Sequence, residues 1–179
     1  FIKMREAYHG DTLGSVSIGG MDLFHATYRP LLFETLEAEP GDIDSLAALL
    51  DQHSTEVAAV VLEPLIQGAA GMVMHSPDYL RGLRALTREF GVHLVADEIA
   101  VGCGRTGTFF ACEQAAIWPD FLCLSKGISG GYLPLSLVLT RDDVFAAFYD
   151  DDTTRGFLHS HSYTGNPLAC RAAVATLDL

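Results

Sequence analysis

Short apolar runs alternate with helical patterns along this chain, and that alternation restricts the possible folds more than any other feature of the sequence. Residues 57–62, 92–97 and 120–125 are mainly apolar runs. Strands of this kind are buried on both faces, which is typical of parallel sheets covered by helices. A helical pattern between two of these runs begins at Pro77 and ends at Gly91. The sequence therefore predicts an α/β domain with a mostly parallel central sheet.

Weaker patterns predict the remaining elements. Further strands are expected at residues 1–7 and 136–140, and a helix capped by Asp42 or Asp44 is expected to end near residue 52. Residues 19–40 contain two prolines and are predicted to be irregular, and residues 67–71 are predicted to be a flexible connection. The other predicted helices cover residues 12–18, 109–116 and 142–149 and a final segment that begins near Asn166-Pro167.

Composition excludes several classes of protein. A chain of 179 residues that is 49% hydrophobic can bury the core of one domain, which excludes a disordered protein. The net charge of -12 argues against a nucleic-acid or anionic-membrane partner, because both need clustered Lys and Arg. No run of apolar residues is long enough to predict a membrane span. The four cysteines lack the spacing of metal ligands, so we expect no metal site and a reduced, cytoplasmic setting.

The ends of the chain suggest a piece of a longer protein. The sequence begins at Phe1 inside a predicted strand, without an initiator Met, and stops at Leu179 inside a helical pattern. We therefore expect an incomplete domain.

Three polar residues follow predicted strands at their carboxyl ends, where α/β sheets bind ligands. They are Glu63, Asp97 and Lys126. An amine and a carboxylate placed this way suit pyridoxal phosphate, whose chemistry uses a lysine that forms a Schiff base and an acid that partners the pyridinium nitrogen. Glu98 is not suited to the acid's role, because adjacent strand residues point to opposite faces. The alternatives are a surface lysine and a loop carboxylate; a nucleotide site is disfavoured because neither glycine-rich nucleotide motif is present.

Two further stretches could complete such a site. Tyr8 ends the first predicted strand and could stack on a pyridine ring, although an aromatic residue there is more often packing. The hydroxyl-rich stretch 159–164 precedes a predicted helix and could bind phosphate, or could simply cap the helix. The roles of His9 and Arg105 stay open at this point.

Taken together, these stretches resemble the class III pyridoxal-phosphate-dependent aminotransferases over nearly the whole chain. The matching residues are Tyr8-His9-Gly10, Glu63-Pro64, Gln67-Gly68, Asp97-Glu98, Gly102, Gly104-Arg105-Thr106-Gly107, Ser125-Lys126-Gly127 and Thr164-Gly165-Asn166-Pro167-Leu168. The resemblance implies fold type I of the pyridoxal-phosphate-dependent transferases. Residues 1–179 would then be part of the large cofactor-binding domain, without an N-terminal segment and the small C-terminal domain.

The resemblance also implies roles for individual residues. Lys126 would be the catalytic residue, bound covalently to pyridoxal phosphate, and Asp97 would bind the pyridine nitrogen. Tyr8 would contact the ring or the substrate. His161 and Ser162 would reach the cofactor phosphate of a partner subunit in a homodimer, and Ser160 would lie near substrate. Lys126 would also contact substrate.

Three stretches are most similar to one subgroup of the family, which uses S-adenosyl-L-methionine as amino donor and 8-amino-7-oxononanoate as acceptor in biotin biosynthesis. They are Val95-Ala96-Asp97-Glu98-Ile99-Ala100, Phe109-Phe110-Ala111-Cys112-Glu113 and Gly130-Gly131-Tyr132-Leu133-Pro134-Leu135-Ser136. The expected function is that transamination. Two alternatives remain: a class III aminotransferase for an ω-amino acid or a diamine, and a catalytically inactive fragment.

Overall fold

The computed structural model describes residues 1–179 and contains the predicted α/β domain with a mostly parallel sheet. Six strands lie in the order β2-β1-β3-β6-β7-β8, and only β8 runs antiparallel to its neighbour. Their bounds are β1 Ile2–Met4, β2 Leu36–Ala38, β3 Ala59–Leu62, β6 His93–Asp97, β7 Phe121–Leu124 and β8 Leu137–Thr140. A separate antiparallel pair is formed by β4 Ile66–Gln67 and β5 Val73–Met74.

The helices begin where the sequence supplies capping groups. Asp42 and Asn166 each accept hydrogen bonds from two backbone N–H groups, of α3 and α6 respectively, and Ser76 accepts one from α4. Ser76 and Asn166 are each followed by proline. The bounds are α1 Leu13–Ser17, α2 Asp22–His25, α3 Ile43–His53, α4 Pro77–Glu89, α5 Asp142–Ala146 and α6 Pro167–Leu177. None of the helices combines the length and the apolar character that crossing a membrane requires.

The core lies between the central strands and the helices that cover them. Strand β3 is buried at every position, and it pairs with β6 in register from Ala59 with His93 to Leu62 with Ala96. Leu46 and Leu50 of α3, and Leu80 and Leu83 of α4, belong to the same apolar cluster. Because these strands are held at the centre of a covered sheet, the positions of the residues that follow them are well determined.

Several connections are more ordered than the sequence predicts. Within residues 19–40 the structure forms helix α2 and the edge strand β2, which pairs with β1 through the backbone. Of the expected flexible connection at residues 67–71, Gln67 ends β4 and the rest lies in the turn of the β4–β5 hairpin. The expected helix at 109–116 is a single 3-10 turn, Ala111–Ala115. These elements are too short to produce the hydrophobic periodicity that identifies helices and strands.

Candidate active site

A crevice of about 440 Å³ opens at the carboxyl ends of β1, β3, β6 and β7. Glu63, Asp97 and Lys126, which the sequence placed at three strand ends, all line it. Tyr8 and His9, which follow β1, form another part of the wall. The remaining lining residues are small or apolar: Gly10, Gly68, Ala69, Ile99 and Ala100. The fold thus brings an amine, two carboxylates, an imidazole and a phenol to one cavity.

The Asp97 carboxylate is held in a fixed position. Only 7% of the residue is exposed. One oxygen accepts a hydrogen bond from the backbone N–H of Ile99 at 3.0 Å, and the other lies 2.7 Å from Nδ1 of His9. The His9 side chain is itself buried, and its Nε2 has no partner. His9 therefore orients Asp97 and keeps the carboxylate within a charge-assisted hydrogen bond.

Glu98 lies on the other side of the strand, as the alternation along β6 predicts. Its carboxylate is 1% exposed and accepts hydrogen bonds from the backbone N–H groups of Ala111 at 2.7 Å and Cys112 at 2.8 Å. These two donors begin the 3-10 turn and would otherwise be buried without partners. Glu98 therefore holds residues 111–115 in place. Of these two adjacent carboxylates, only Asp97 faces the crevice.

Lys126 stands at the turn that follows β7. Its side chain is exposed, and it lines both the crevice and an adjoining cavity of about 310 Å³ bounded by residues 125–135. Its φ angle of 46° lies in the left-handed region, which is uncommon for a residue with a side chain. The next residue must be glycine, because a Cβ on Gly127 would come within 2.8 Å of the Cβ of Cys103. The backbone at this point is closely constrained, and the amine remains open to a ligand.

Tyr8 is held from three directions. Its hydroxyl donates a hydrogen bond to Asp11 at 3.0 Å, and this hydrogen bond raises the pKa of Tyr8. Its ring lies parallel to the imidazole of His25, at 11° and 5.8 Å between centroids. Its backbone N–H donates to Glu63 at 3.3 Å. The aromatic ring is therefore a positioned part of the crevice wall, as stacking on a ligand would require.

Glu63 joins two segments of the crevice. Its second carboxylate oxygen accepts a hydrogen bond from Gly68 N–H at 3.0 Å, so the side chain connects the residues after β1 to the β4–β5 hairpin. Burial raises the pKa of Glu63. Its position beside the crevice could be predicted from the strand end, but its partners could not, because both are backbone N–H groups.

The hydroxyl-rich segment does not reach this crevice. Ser160, His161 and Ser162 are exposed and are absent from the crevice lining. Within the segment, His161 N–H donates to Thr164 Oγ1 at 3.1 Å, and helix α6 takes its N-cap from Asn166. The structure therefore shows the capped-helix arrangement, and a role at a partner's site stays a prediction. Arg105 is exposed and forms no ion pair in the structure.

The groups of the crevice fit one end of pyridoxal phosphate. A primary amine suits the aldehyde, a buried carboxylate suits a protonated ring nitrogen, and an aromatic wall suits the ring face. The volume lies in the range of small-molecule and cofactor sites. The crevice offers few cationic groups for the phosphate, because Lys126 is the only Lys or Arg among the lining residues. A complete site would need phosphate-binding groups from outside this crevice.

Comparisons with known proteins agree with this fit. The family described as Aminotransferase class-III matches residues 1–179. An adenosylmethionine-8-amino-7-oxononanoate aminotransferase from Nitratidesulfovibrio vulgaris is 50% identical, with 97% of this chain and 35% of that protein aligned. A Helicobacter pylori protein of the same name is 47% identical over 100% of this chain and 43% of its own length.

Solved structures give the same result. The crystal structure of an adenosylmethionine-8-amino-7-oxononanoate aminotransferase from Methanocaldococcus jannaschii superposes with a TM-score of 0.93 at 41% identity, covering 99% of this chain and 42% of that one. An ornithine aminotransferase from Toxoplasma gondii, described with partial occupancy of PLP at its active site, superposes at 0.88 with 32% identity, covering 99% and 39%. The chain thus spans about two fifths of the length of the relatives it matches.

Proposed function

The chain belongs to the class III aminotransferase family, and on that premise we propose that the protein containing it transfers an amino group from S-adenosyl-L-methionine to 8-amino-7-oxononanoate. The product would be 7,8-diaminononanoate, and the cofactor would be pyridoxal phosphate. Relatives with 45–50% identity carry the name of this activity. The observation that carries the proposal is the placement of Lys126 and the buried Asp97 on one crevice with the ring of Tyr8.

Each residue of the crevice has a definite task in this proposal. When bound, pyridoxal phosphate supplies an aldehyde carbon that bonds to amines and a ring that accepts an electron pair. Lys126 Nζ would be the amine that holds the aldehyde group, and as a free amine it would take the proton from the substrate carbon. The carboxyl group of Asp97 would lie beside the ring nitrogen and favour its protonated form. Tyr8 stacks on the ring or contacts the substrate.

His9 supports Asp97 in this scheme. The hydrogen bond at 2.7 Å from His9, which lines the same crevice, fixes the carboxylate, as supporting partners do for catalytic groups. The carboxylate then needs no reorganisation when a positive ring nitrogen approaches it.

We further propose that the active protein is a homodimer with a site shared between subunits. The crevice has no arginine for a phosphate, and Ser160, His161 and Ser162 are exposed away from it. Those three residues are therefore proposed to serve the partner's site, with His161 and Ser162 at the phosphate and Ser160 near substrate. By the same reasoning, residues 1–179 alone are expected to be inactive. The four free cysteines support a cytoplasmic location.

The bond to Lys126 gives the direct test of the proposed chemistry. The full-length protein that contains this chain should bind pyridoxal phosphate with a visible absorption band, and borohydride reduction followed by peptide mapping should place the label on Lys126. Lys126→Ala should remove both signals. Lys3→Met is the matched control, since Lys3 is the other lysine of this chain and does not line the crevice. An unchanged band in Lys126→Ala would refute the proposal.

A second candidate keeps the chemistry and changes the substrates. The structural likeness to an ornithine aminotransferase, with a TM-score of 0.88, favours considering an ω-amino acid or a diamine as amino donor. A donor panel separates the two. Amination of 8-amino-7-oxononanoate by S-adenosyl-L-methionine supports the first candidate, whereas turnover with β-alanine or a diamine and none with S-adenosyl-L-methionine supports the second.

A further inference from the structure

The ring of Tyr8 has the imidazole of His25 behind it. The two planes differ by 11° and their centroids are 5.8 Å apart, which is an offset stack. Phe24, the neighbour of His25 in α2, meets both rings edge to face, at 6.1 Å from Tyr8 and 6.2 Å from His25. The motif in the sequence that carries Tyr8 does not include these two residues, which arrive from a helix in the segment that the sequence predicts to be irregular.

The polar ends of the two stacked rings meet the same carboxylate. Asp11 accepts the hydrogen bond of the Tyr8 hydroxyl at 3.0 Å with one oxygen, and its other oxygen lies 3.4 Å from Nε2 of His25. Two parallel rings joined at their tips by one carboxylate have little freedom to rotate independently. The arrangement therefore fixes both the plane of the Tyr8 ring and the direction of its hydroxyl.

His25 is buried although it does not line the crevice. It is 5% exposed, and its Nδ1 has no hydrogen-bond partner. It borders a second cavity of about 420 Å³, whose other lining residues come mainly from the segments that connect β1, α1, α2 and β2. His25 thus contacts both features, because its imidazole stacks on Tyr8 and its side chain also borders the cavity. Removing the imidazole would therefore take away the stacked partner of Tyr8 and leave its ring with the edge contact of Phe24 and the hydrogen bond to Asp11.

We propose that His25 is a positioning residue that acts through Tyr8, holding the tyrosine ring in the plane on which the cofactor ring stacks. The inference rests on the proposed function, because it assumes that Tyr8 meets a pyridine ring. His25 touches neither cofactor nor substrate. Its effect is to keep the Tyr8 ring from rotating out of that plane, so that the ring is already in place when a ligand binds.

Equilibrium binding of pyridoxamine phosphate to the full-length apoprotein tests this. That ligand lacks the aldehyde, so its affinity reports contacts with the ring and the phosphate and omits the bond to Lys126. His25→Ala should weaken binding by about 3- to 10-fold, as the loss of a stacked aromatic pair implies. The same substitution in a Tyr8→Ala background should change binding by less than about twofold, because there is no ring left to position. His25→Phe should bind within about twofold of the wild type, since a ring is kept.

The control and the contrary outcomes separate this inference from the proposed function. His53→Ala, at the end of α3 and away from the crevice, should bind as the wild type does. Equal affinity of His25→Ala and wild type overturns the inference alone. Equal losses in the Tyr8 and Tyr8→Ala backgrounds also overturn it, because they indicate a general effect on the fold. A wild-type apoprotein that fails to bind pyridoxamine phosphate overturns the proposed function itself.

Discussion

Two adjacent carboxylates should show opposite phenotypes when each is changed to its amide. Asp97→Asn should weaken cofactor chemistry and leave the fold nearly intact, whereas Glu98→Gln should destabilise the fold. The reason is the alternation of side chains at the end of β6. Asp97 faces the crevice, and Glu98 faces the backbone of residues 111–115.

The expected cost of Glu98→Gln follows from its hydrogen bonds. The carboxylate accepts two of them, at 2.7 and 2.8 Å, while 1% exposed. Glutamine keeps one acceptor oxygen and turns an N–H₂ group toward the other buried donor. Losing a hydrogen bond to a charged group and leaving a buried N–H unpaired costs about 2–4 kcal/mol of the free energy of unfolding.

Asp97→Asn should cost less than about 1 kcal/mol of unfolding free energy. The asparagine oxygen can still accept from Ile99 N–H, and its N–H₂ group can donate to Nδ1 of His9 after a change of tautomer. The negative charge beside the ring nitrogen is lost, however. Turnover should fall on the order of a hundredfold, the size of effect seen when one preorganised electrostatic partner is removed.

Urea unfolding and steady-state transamination, measured on both variants of the full-length protein, provide the comparison. The reasoning is refuted if Glu98→Gln unfolds at the wild-type urea concentration, or if Asp97→Asn retains wild-type turnover. It is also refuted if both variants lose stability to the same extent, because the two side chains would then share one environment.

Two further predictions concern titratable groups. Burial lowers the pKa of His75 below its usual value near 6.5, so the unfolded chain binds the proton more readily, and stability should fall as the pH drops below 6.5. A His75→Phe variant should therefore lose less of its free energy of unfolding than wild type between pH 7 and pH 5 in urea titrations, whereas an equal loss in both proteins would contradict the sign. Burial, with a smaller effect from Asp97, raises the pKa of Cys123 to about 11, so its thiolate at pH 8 should be scarcer than an ordinary cysteine's by about two orders of magnitude. Iodoacetamide labelling with peptide mapping should find Cys123 nearly unreactive in the native protein and reactive in urea, with the exposed Cys170 as the internal reference; equal native labelling of both would refute this.

Most strands of the sheet and the location of the crevice can be predicted from local sequence alone. Apolar runs identified β3, β6 and β7, and a residue at or just after the end of each of these strands lines the crevice. Parallel strands bring their carboxyl ends to one edge, so the convergence of Glu63, Asp97 and Lys126 needed no knowledge of distances. The contrast between Asp97 and Glu98 likewise follows from the two-residue period of a strand.

The short elements could not be predicted in this way. Strand β2 is three residues long and the β4–β5 hairpin has two residues in each strand, so neither contains a full hydrophobic period. Strand β2 forms because β1 supplies its backbone hydrogen-bond partners, and β4 and β5 form because each pairs with the other. Their existence depends on tertiary context.

The sequence by itself determined the α/β class, the positions of the main strands along the chain, and the presence of an amine and a carboxylate at strand ends. Only the tertiary structure decided how those groups are held. His9 is hydrogen-bonded to Asp97, which lies 88 positions further along the sequence. His25 stacks on Tyr8 and belongs to helix α2, which no hydrophobic periodicity in the sequence predicted. The physical reason is that strand and helix patterns arise from neighbours along the chain, whereas a hydrogen bond or a ring stack depends on where the packed core places two distant segments.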